Sequence, residues 1–252
     1  MARIIINGDD FGMNESCSHA IAEAFGRGLI TDTTAMSNGE YFDAAVRLAK
    51  ERGFADRIGI HLNLTEGEPL TGDIRKFPDF VTDGRFNKLA ASLNRELAAD
   101  EYEAVYAELS AQIERLRSAG IGITHADSHH YIHNLPCLLS VAVRACRDNG
   151  INKLRLKRDL SKMSAAERKS TADCNAGLRS MGFITTEHFG RPSDICGGDI
   201  PDNTELLVHP DFDRNGSLID RRSMSGGYPV GEILPDLRSI HGTELISYAE
   251  LN

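Results

Sequence analysis

The chain has 252 residues, of which 41% are hydrophobic, and it carries a formal net charge of −9 at pH 7. This length and hydrophobic content predict a single domain over residues 1–252 with a full buried core. The negative charge argues against nucleic acid or an anionic membrane as a partner, because the chain would not neutralise phosphate groups.

The sequence also carries signals for cellular location. No segment is long and apolar enough to span a bilayer, and no signal-peptide pattern precedes the first predicted strand. The five cysteines are scattered without a Cys-x-x-Cys pair, as is typical of reduced thiols. We therefore expect a cytoplasmic protein.

Apolar segments of strand type alternate with amphipathic helical segments along the whole chain. The predicted strands begin at Ile4 and continue at residues 29–37, 58–64, 121–124, 153–156, 183–186, 205–208 and 244–247. The predicted helices cover residues 14–25, 41–51, 100–119, 134–149, 164–180 and 231–239. Capping-box pairs mark two of the helix starts, namely Asp100 with Glu103 and Ser164 with Glu167.

This alternation of strands and helices predicts a parallel sheet. Seven or eight strands in a chain of this length favour a closed or nearly closed (β/α) barrel over an open sheet. In such barrels the chemistry lies at the carboxyl ends of the strands, so polar residues that end strands should converge.

Polar residues do end several of the predicted strands. Asp9 and Asp10 follow the first strand. His61 and Asn63 share one face of the third strand, and the histidine-rich segment 125–130 follows the fourth. Adjacent strand residues point to opposite faces, so the two aspartates cannot share one environment. A loop-capping aspartate pair and a solvated histidine run are the alternative interpretations.

The residue types at these strand ends suit a metal. Asp10, His61 and His125 offer one carboxylate and two imidazoles and leave positions for water and substrate. A metal held in this way lowers the pKa of its water towards about 7 and polarises a carbonyl. The other aspartate of the pair can then accept the proton of the water.

Further residues can support this chemistry. His209 ends the seventh predicted strand and can give a proton to a departing amine. Three residues are predicted to support the ligands or contact the substrate, namely Asp127, His129 and Asn63. The set favours hydrolysis of an amide or ester, and no Gly-x-Gly-x-x-Gly, P-loop or Gly-x-Ser-x-Gly motif is present to indicate other chemistry.

Three motifs in these segments resemble the signatures of the YdjC-like carbohydrate deacetylases. They are Asn-Gly-Asp-Asp-Phe-Gly at 7–12, Gly-Ile-His-Leu-Asn-Leu-Thr at 59–65 and Thr-His-Ala-Asp-Ser-His-His at 124–130. The resemblance extends to Val-His-Pro at 208–210 and to residues 242–248. That family includes chitooligosaccharide deacetylases, which remove an N-acetyl group from chitobiose-type sugars.

The resemblance implies a distorted (β/α) barrel of the polysaccharide-deacetylase type, a divalent metal and acetate as a product. The metal ligands that it implies by position are Asp10, His61 and His125. It further implies that Asp9 is the general base, that His209 is the acid and that Arg155 orients the catalytic carboxylate.

The chain departs from the family pattern at two positions. Gly8 stands where alanine is usual, and Tyr131 stands where a third consecutive histidine is common. Neither departure affects the expected ligands. The loops at 66–94 and 188–203 are expected to shape the sugar pocket, and they carry no motif.

The expected function is metal-dependent removal of an N-acetyl group from a small, chitooligosaccharide-like sugar. The alternatives are a metal hydrolase that acts on another acyl or phosphoryl substrate and a sugar-binding barrel without catalysis. Imidazole ligands favour zinc, whereas the family is commonly associated with magnesium, so both metals stay open. Exposed apolar helix faces would allow a homodimer.

Overall fold

The computed structural model describes residues 2–195, 200–221 and 243–252. Its strands are β1 (Arg3–Phe11), β2 (Asp32–Ala35), β3 (Ile58–Leu62), β4 (Val81–Thr82), β5 (Arg85–Phe86), β6 (Ala126–Ser128), β7 (His188–Gly190), β8 (Thr204–Val208), β9 (Pro210–Phe212), β10 (Leu218–Asp220) and β11 (Glu244–Leu245). Its α-helices are α1 (Glu15–Gly26), α2 (Phe42–Arg52), α3 (Ala99–Ser118), α4 (Pro136–Asp148) and α5 (Ala165–Ser180).

Strand β1 is the centre of the main sheet. Its run of three isoleucines is fully or almost fully buried, as β-branched residues in a parallel sheet covered on both faces should be. Strand β8 pairs with Ile4–Gly8 on one side. On the other side β11 pairs with the start of β1, and β2 pairs with its later half.

The main sheet curls towards a barrel. Its strand order is β6-β3-β2-β1-β8-β7, and the pairs along this path are parallel. Isolated bridges join Ala126 to Leu154 and Lys153 to Ile184, between β6 and the segment before β7. The predicted distorted (β/α) barrel of mostly parallel strands is therefore confirmed, although the predicted strands at 153–156 and 183–186 are reduced to these bridges.

Helix starts follow the local sequence at most sites. The Asn14 side chain accepts from the backbone N–H of Cys17 at the start of α1, and the Ser164–Glu167 capping box begins α5. The predicted capping box at α3 is wrong. That helix begins at Ala99, and the Glu101 carboxylate accepts from the backbone N–H of Ala98 instead.

The predicted fourth strand ends too early, and this error matters for the site. Backbone pairing with β3 begins near Thr124 and continues until Leu62 lies opposite Ser128. The residue that follows the carboxyl end of this strand is therefore His129, not His125.

Two remaining observations concern the helices. The predicted helix at 231–239 lies outside the described residues. Among the residues that are described, no helix combines the length and apolar character needed to cross a membrane.

Candidate metal centre and active site

Three buried side chains meet at the carboxyl ends of β1, β3 and β6. The Asp10 Oδ1 atom lies 3.2 Å from His61 Nε2 and 2.8 Å from His129 Nδ1. One donor atom from each of the three residues lies within 4.8 Å of the others. None of the three side chains is more than 4% exposed.

The backbone and a cation fix the orientation of Asp10. Its φ of +73° is in the left-handed region, which non-glycine residues rarely adopt and which often marks a functional position. Arg221 donates to the second carboxylate oxygen, Oδ2, at 2.7 Å. Burial alone would raise the pKa of Asp10, but hydrogen bonds from His129 and His61 hold it well below its usual value.

His61 is oriented by the carboxylate of Asp127, which lies 2.6 Å from its Nδ1 atom. Asp127 in turn accepts from the Thr34 hydroxyl at 3.0 Å. A carboxylate that holds one imidazole nitrogen while the other faces a shared point is the usual support of a metal-binding histidine. Burial would lower the pKa of His61, but the charge of Asp127 and the hydrogen bond with Asp10 raise it to about 10.

The structure does not bring His125 to this cluster, so the predicted ligand set needs correction. Its ring stacks on Tyr248 with centroids 3.6 Å apart, and its Nδ1 atom lies 2.8 Å from the Thr124 hydroxyl. A Cβ atom at Gly59 would lie 2.6 Å from the ring, so glycine is needed there. Burial lowers the pKa of His125 well below its usual value, as expected for a neutral residue packed inside the barrel.

Asp9 lies beside the cluster and is held by Arg155. The guanidinium donates to both carboxylate oxygens, at 2.7 and 2.8 Å, and the Asn7 amide adds a third hydrogen bond at 2.8 Å. Burial would raise the pKa of Asp9, but the charge and hydrogen bonds of Arg155 hold it well below its usual value. Asp9 is therefore ionised throughout the neutral range.

Arg155 is itself fully buried and contacts three carboxylates. Besides Asp9, it reaches Asp127 at 2.5 Å and Glu205 at 2.7 Å. Glu205 also accepts from the Tyr248 hydroxyl at 2.5 Å. Burial would lower the pKa of Arg155, but the three carboxylates keep it well above its usual value.

The charge balance and the donor types of the site fit a divalent cation. Asp9 and Asp127 share the single positive charge of Arg155, so these two carboxylates leave one negative charge in excess. Burial raises the pKa of Glu205, the third carboxylate on Arg155, and so favours its neutral form. A second group of donor atoms, from Asp9, His61 and Asp127, is less suitable because the Arg155 cation already bridges its two carboxylates. The cluster of Asp10, His61 and His129 is hereafter called the ligand cluster.

Of the two other predicted site residues, His209 reaches the cavity at the ligand cluster and Asn63 does not. His209 lines the same cavity as Asp9 and His129, with its Nδ1 atom 3.9 Å from Asp220. Asn63 does not reach the cavity, because its side chain bonds to Asn38 and to backbone atoms of the following loop.

Several residues of the site escaped the sequence analysis. Thr34, Glu205, Tyr248 and Arg221 each bond directly to a residue of the site. Only Glu205 had a signal in the sequence, because it is a charged residue inside an otherwise apolar strand. His133, from the histidine-rich segment, is buried and neutral, since burial lowers its pKa to about 3.

Two openings adjoin the ligand cluster. A small cavity of about 30 Å³, which has room for one or two water-sized groups, is lined by Asp9, His61, Ser128, His129, His130, Tyr131, Arg191 and His209. Beside it, a cleft of about 490 Å³ shares His130 and Tyr131 with the cavity. A further cleft of about 510 Å³, between the ends of α1 and α2, is lined by none of the site residues.

Comparisons with known proteins agree with this geometry. The family model described as YdjC-like protein matches residues 3–231. A carbohydrate deacetylase from Listeria monocytogenes is 38% identical over 210 residues, 83% of this chain and 82% of that protein. Carbohydrate deacetylase 1 from Listeria innocua is 34% identical over 215 residues, with the same coverage.

Solved structures support the fold. A structure from Enterococcus faecalis, named for cellobiose-phosphate cleavage, has a TM-score of 0.75 and 25% identity, covering 99% of this chain and 98% of that one. A lactam utilization protein from Thermus thermophilus has a TM-score of 0.54 and 16% identity, covering 97% of this chain and 99% of that one. The second likeness concerns the fold alone.

Proposed function

The chain belongs to the YdjC-like protein family, and we propose that it is a metal-dependent deacetylase that releases acetate from a small N-acetylated sugar. The observation that carries this proposal is the ligand cluster beside an ionised, arginine-bound Asp9. The proposed ligands are Asp10, His61 and His129, with His129 in place of the predicted His125. The carbohydrate deacetylases among the relatives support the choice of substrate class.

A divalent cation held by the ligand cluster would polarise the acyl carbonyl and make water a better nucleophile. Asp9 lies in the same cavity and accepts the proton of that water as its oxygen joins the acyl carbon. Arg155 keeps Asp9 ionised and fixes its direction. His209, also on the cavity wall, gives a proton to the amine as the carbon–nitrogen bond breaks, so that acetate and a free amino sugar leave.

The sugar would occupy the cleft of about 490 Å³, which has the volume of a typical small-molecule site. The cleft meets the small cavity at His130 and Tyr131, so an acetamido group can reach the ligand cluster while the ring stays outside. Lys157 and Lys162 line the cleft and would attract an anionic substituent such as a sugar phosphate. We therefore include phosphorylated disaccharides among the substrates to test.

Acetate release tests the proposal. Metal-free protein is supplied in turn with Zn²⁺, Mg²⁺, Mn²⁺ and Co²⁺ and assayed on N-acetylglucosamine, N,N′-diacetylchitobiose, its 6-phosphate and longer oligomers. We expect acetate from at least one sugar, with a metal required and with Asp9→Asn as the inactive control. Binding of metal without acetate from any of these sugars would contradict the proposal.

A further inference from the structure

Two buried polar atoms beside the ligand cluster have no hydrogen-bond partner within the described part of the chain. They are the Tyr131 hydroxyl oxygen and the Arg191 Nε atom, and both residues line the small cavity. The two side chains face each other, and Arg191 partly offsets the rise that burial gives the pKa of Tyr131, but neither atom has a partner of normal hydrogen-bond geometry among the described residues. A buried donor without a partner costs about 1–3 kcal/mol. Folded proteins leave few such groups, so two on one cavity wall indicate a binding partner supplied by a ligand.

The backbone at Tyr131 has a strained conformation. His130 and Tyr131 have φ values of +53° and +55°, two consecutive residues in the left-handed region. Each such residue costs about 1–3 kcal/mol and persists only where the surroundings enforce it. The Tyr131 ring packs edge-on against Phe189, with centroids 6.2 Å apart, and Phe189 in turn lies 4.9 Å below the Arg155 guanidinium. The hydroxyl is therefore fixed rather than free to seek another partner.

Arg191 is anchored by its main chain. Its backbone N–H donates to Asp194 at 2.8 Å. The Asp194 carboxylate is also bound by Arg158, whose Nε atom lies 2.7 Å away. This arrangement fixes the start of the Arg191 side chain without using its Nε donor, which is left for a ligand.

The location of the pair indicates which part of a ligand it meets. Tyr131 lines both the small cavity and the cleft, so it stands where an acyl group at the ligand cluster would join a ring in the cleft. The small cavity has room for one or two water-sized groups in all, which suits an acyl group but not a ring. With the acyl group at the ligand cluster and the ring in the cleft, Tyr131 would face an oxygen on a ring carbon next to the acetamido group.

We propose that Tyr131 and Arg191 form a recognition site for the hydroxyl group next to the N-acetyl group of the sugar. Both side chains can donate to that oxygen, and Tyr131 can also accept its proton. The pair selects sugars that carry this hydroxyl and binds them before the chemical step. This inference rests on the proposed deacetylase function, since it assumes an N-acetylated sugar at the ligand cluster.

The test compares Tyr131→Phe, which removes one oxygen atom, with the wild type on N,N′-diacetylchitobiose and on its analogue that lacks the 3-hydroxyl group on the reacting ring. We expect Tyr131→Phe to raise KM about tenfold with kcat nearly unchanged, because the lost contact is made equally in the ground and transition states. Arg191→Lys, which keeps the charge but removes Nε, should act in the same direction. On the deoxy analogue, wild type and Tyr131→Phe should have the same KM.

Controls separate this inference from the proposed function. Metal affinity should be unchanged in Tyr131→Phe, and its Tm should not fall, because the deleted hydroxyl has no partner in the free protein. Tyr106→Phe removes a hydroxyl that donates to Asp148 and lines neither the cavity nor the cleft, so its KM and kcat should match those of the wild type. An unchanged KM for Tyr131→Phe and Arg191→Lys, in a protein whose wild type releases acetate, would overturn this inference alone. A wild type that binds metal but releases no acetate would overturn the proposed function, and this inference with it.

Discussion

Arg155 donates hydrogen bonds to both carboxylate oxygens of Asp9, at 2.7 and 2.8 Å, and both residues are buried inside the barrel. Two parallel charge-assisted hydrogen bonds fix the plane of the carboxylate as well as its charge. Arg155 therefore fixes the position of Asp9, while the neighbouring Asp10 turns its Oδ1 atom to the two histidines.

This division predicts the effect of Asp9→Asn. The amide keeps the shape of the side chain but cannot accept a proton, so we expect acetate release to fall by about 10²- to 10⁴-fold. Metal affinity should stay close to that of the wild type, because Asp9 is outside the ligand cluster. Acetate assays and titration with a metal-sensitive dye measure the two effects. If the metal is lost together with activity, Asp9 is itself a ligand.

The corrected ligand set predicts opposite effects for two histidines. His129→Ala should reduce metal affinity by at least about 100-fold with little loss of stability, since it removes a proposed ligand. His125→Ala should bind metal normally but lower the free energy of unfolding by about 2–4 kcal/mol, because it leaves a cavity under Tyr248. Chelator competition and urea unfolding measure these quantities. A folded His125→Ala protein that no longer binds metal would restore the original assignment.

Arg221 should support the metal through Asp10. It donates to Oδ2 at 2.7 Å, and Asp211 lies 3.6 Å from its other terminal nitrogen. Loss of a group that orients a ligand typically costs about 10- to 100-fold in metal affinity, so we expect that loss for Arg221→Ala. Arg221→Gln keeps a hydrogen-bond donor, so its metal affinity should lie between those of Arg221→Ala and the wild type. Tighter metal binding by Arg221→Ala would show instead that the guanidinium competes with the metal for Asp10.

The buried Asp32 should make the free energy of unfolding depend on pH, whether or not a metal is bound. Burial raises the pKa of Asp32 from 3.8 to about 7. The native state therefore holds this proton more tightly than the unfolded state, and stability decreases as the pH rises from about 4 to about 7. A shift of about three units corresponds to about 4 kcal/mol.

Asp32→Asn should remove this loss, because an amide cannot ionise and its oxygen can still accept from the Tyr248 backbone N–H. The difference in Tm between the variant and the wild type should increase from pH 5 to pH 8. Other carboxylates titrate in both proteins and cancel in this difference. A constant difference over that range would mean that Asp32 is ionised in the native protein at acid pH.

Local sequence signals were sufficient for much of the fold. The isoleucine run of β1, the Asn14 cap and the Ser164–Glu167 capping box each act over a few residues, and the structure confirms them. These features depend on neighbours in the chain and not on the tertiary structure. Asp9 and Asp10 lie at the end of β1 as expected, but they were assigned to a site because of the other polar strand ends and the family resemblance.

The position of His129 at the end of β6 could not be found in the same way. The apolar run at 121–123 stops before Thr124 and His125, so the local pattern does not show that β6 continues to Ser128. The predicted strand therefore ended four residues too early, with His125 rather than His129 at its end. Glu205 and Arg221 meet Arg155 and Asp10 only through contacts between distant parts of the chain. Such contacts depend on the register of β8 and on the β9–β10 hairpin, which no local pattern specifies.

The pairing of β1 sets the order in which the protein can assemble during synthesis. Ile4 pairs with Thr204 in β8 and with Leu245 in β11, so an emerging chain lacks both partners until about 200 more residues have been made. Until then the apolar edge of β1 is open to wrong pairing, and Glu205 is not yet present to balance Arg155. The strand that is made first, and that carries Asp9 and Asp10, is thus among the last to be completed, and folding should be slow because of this long-range pairing.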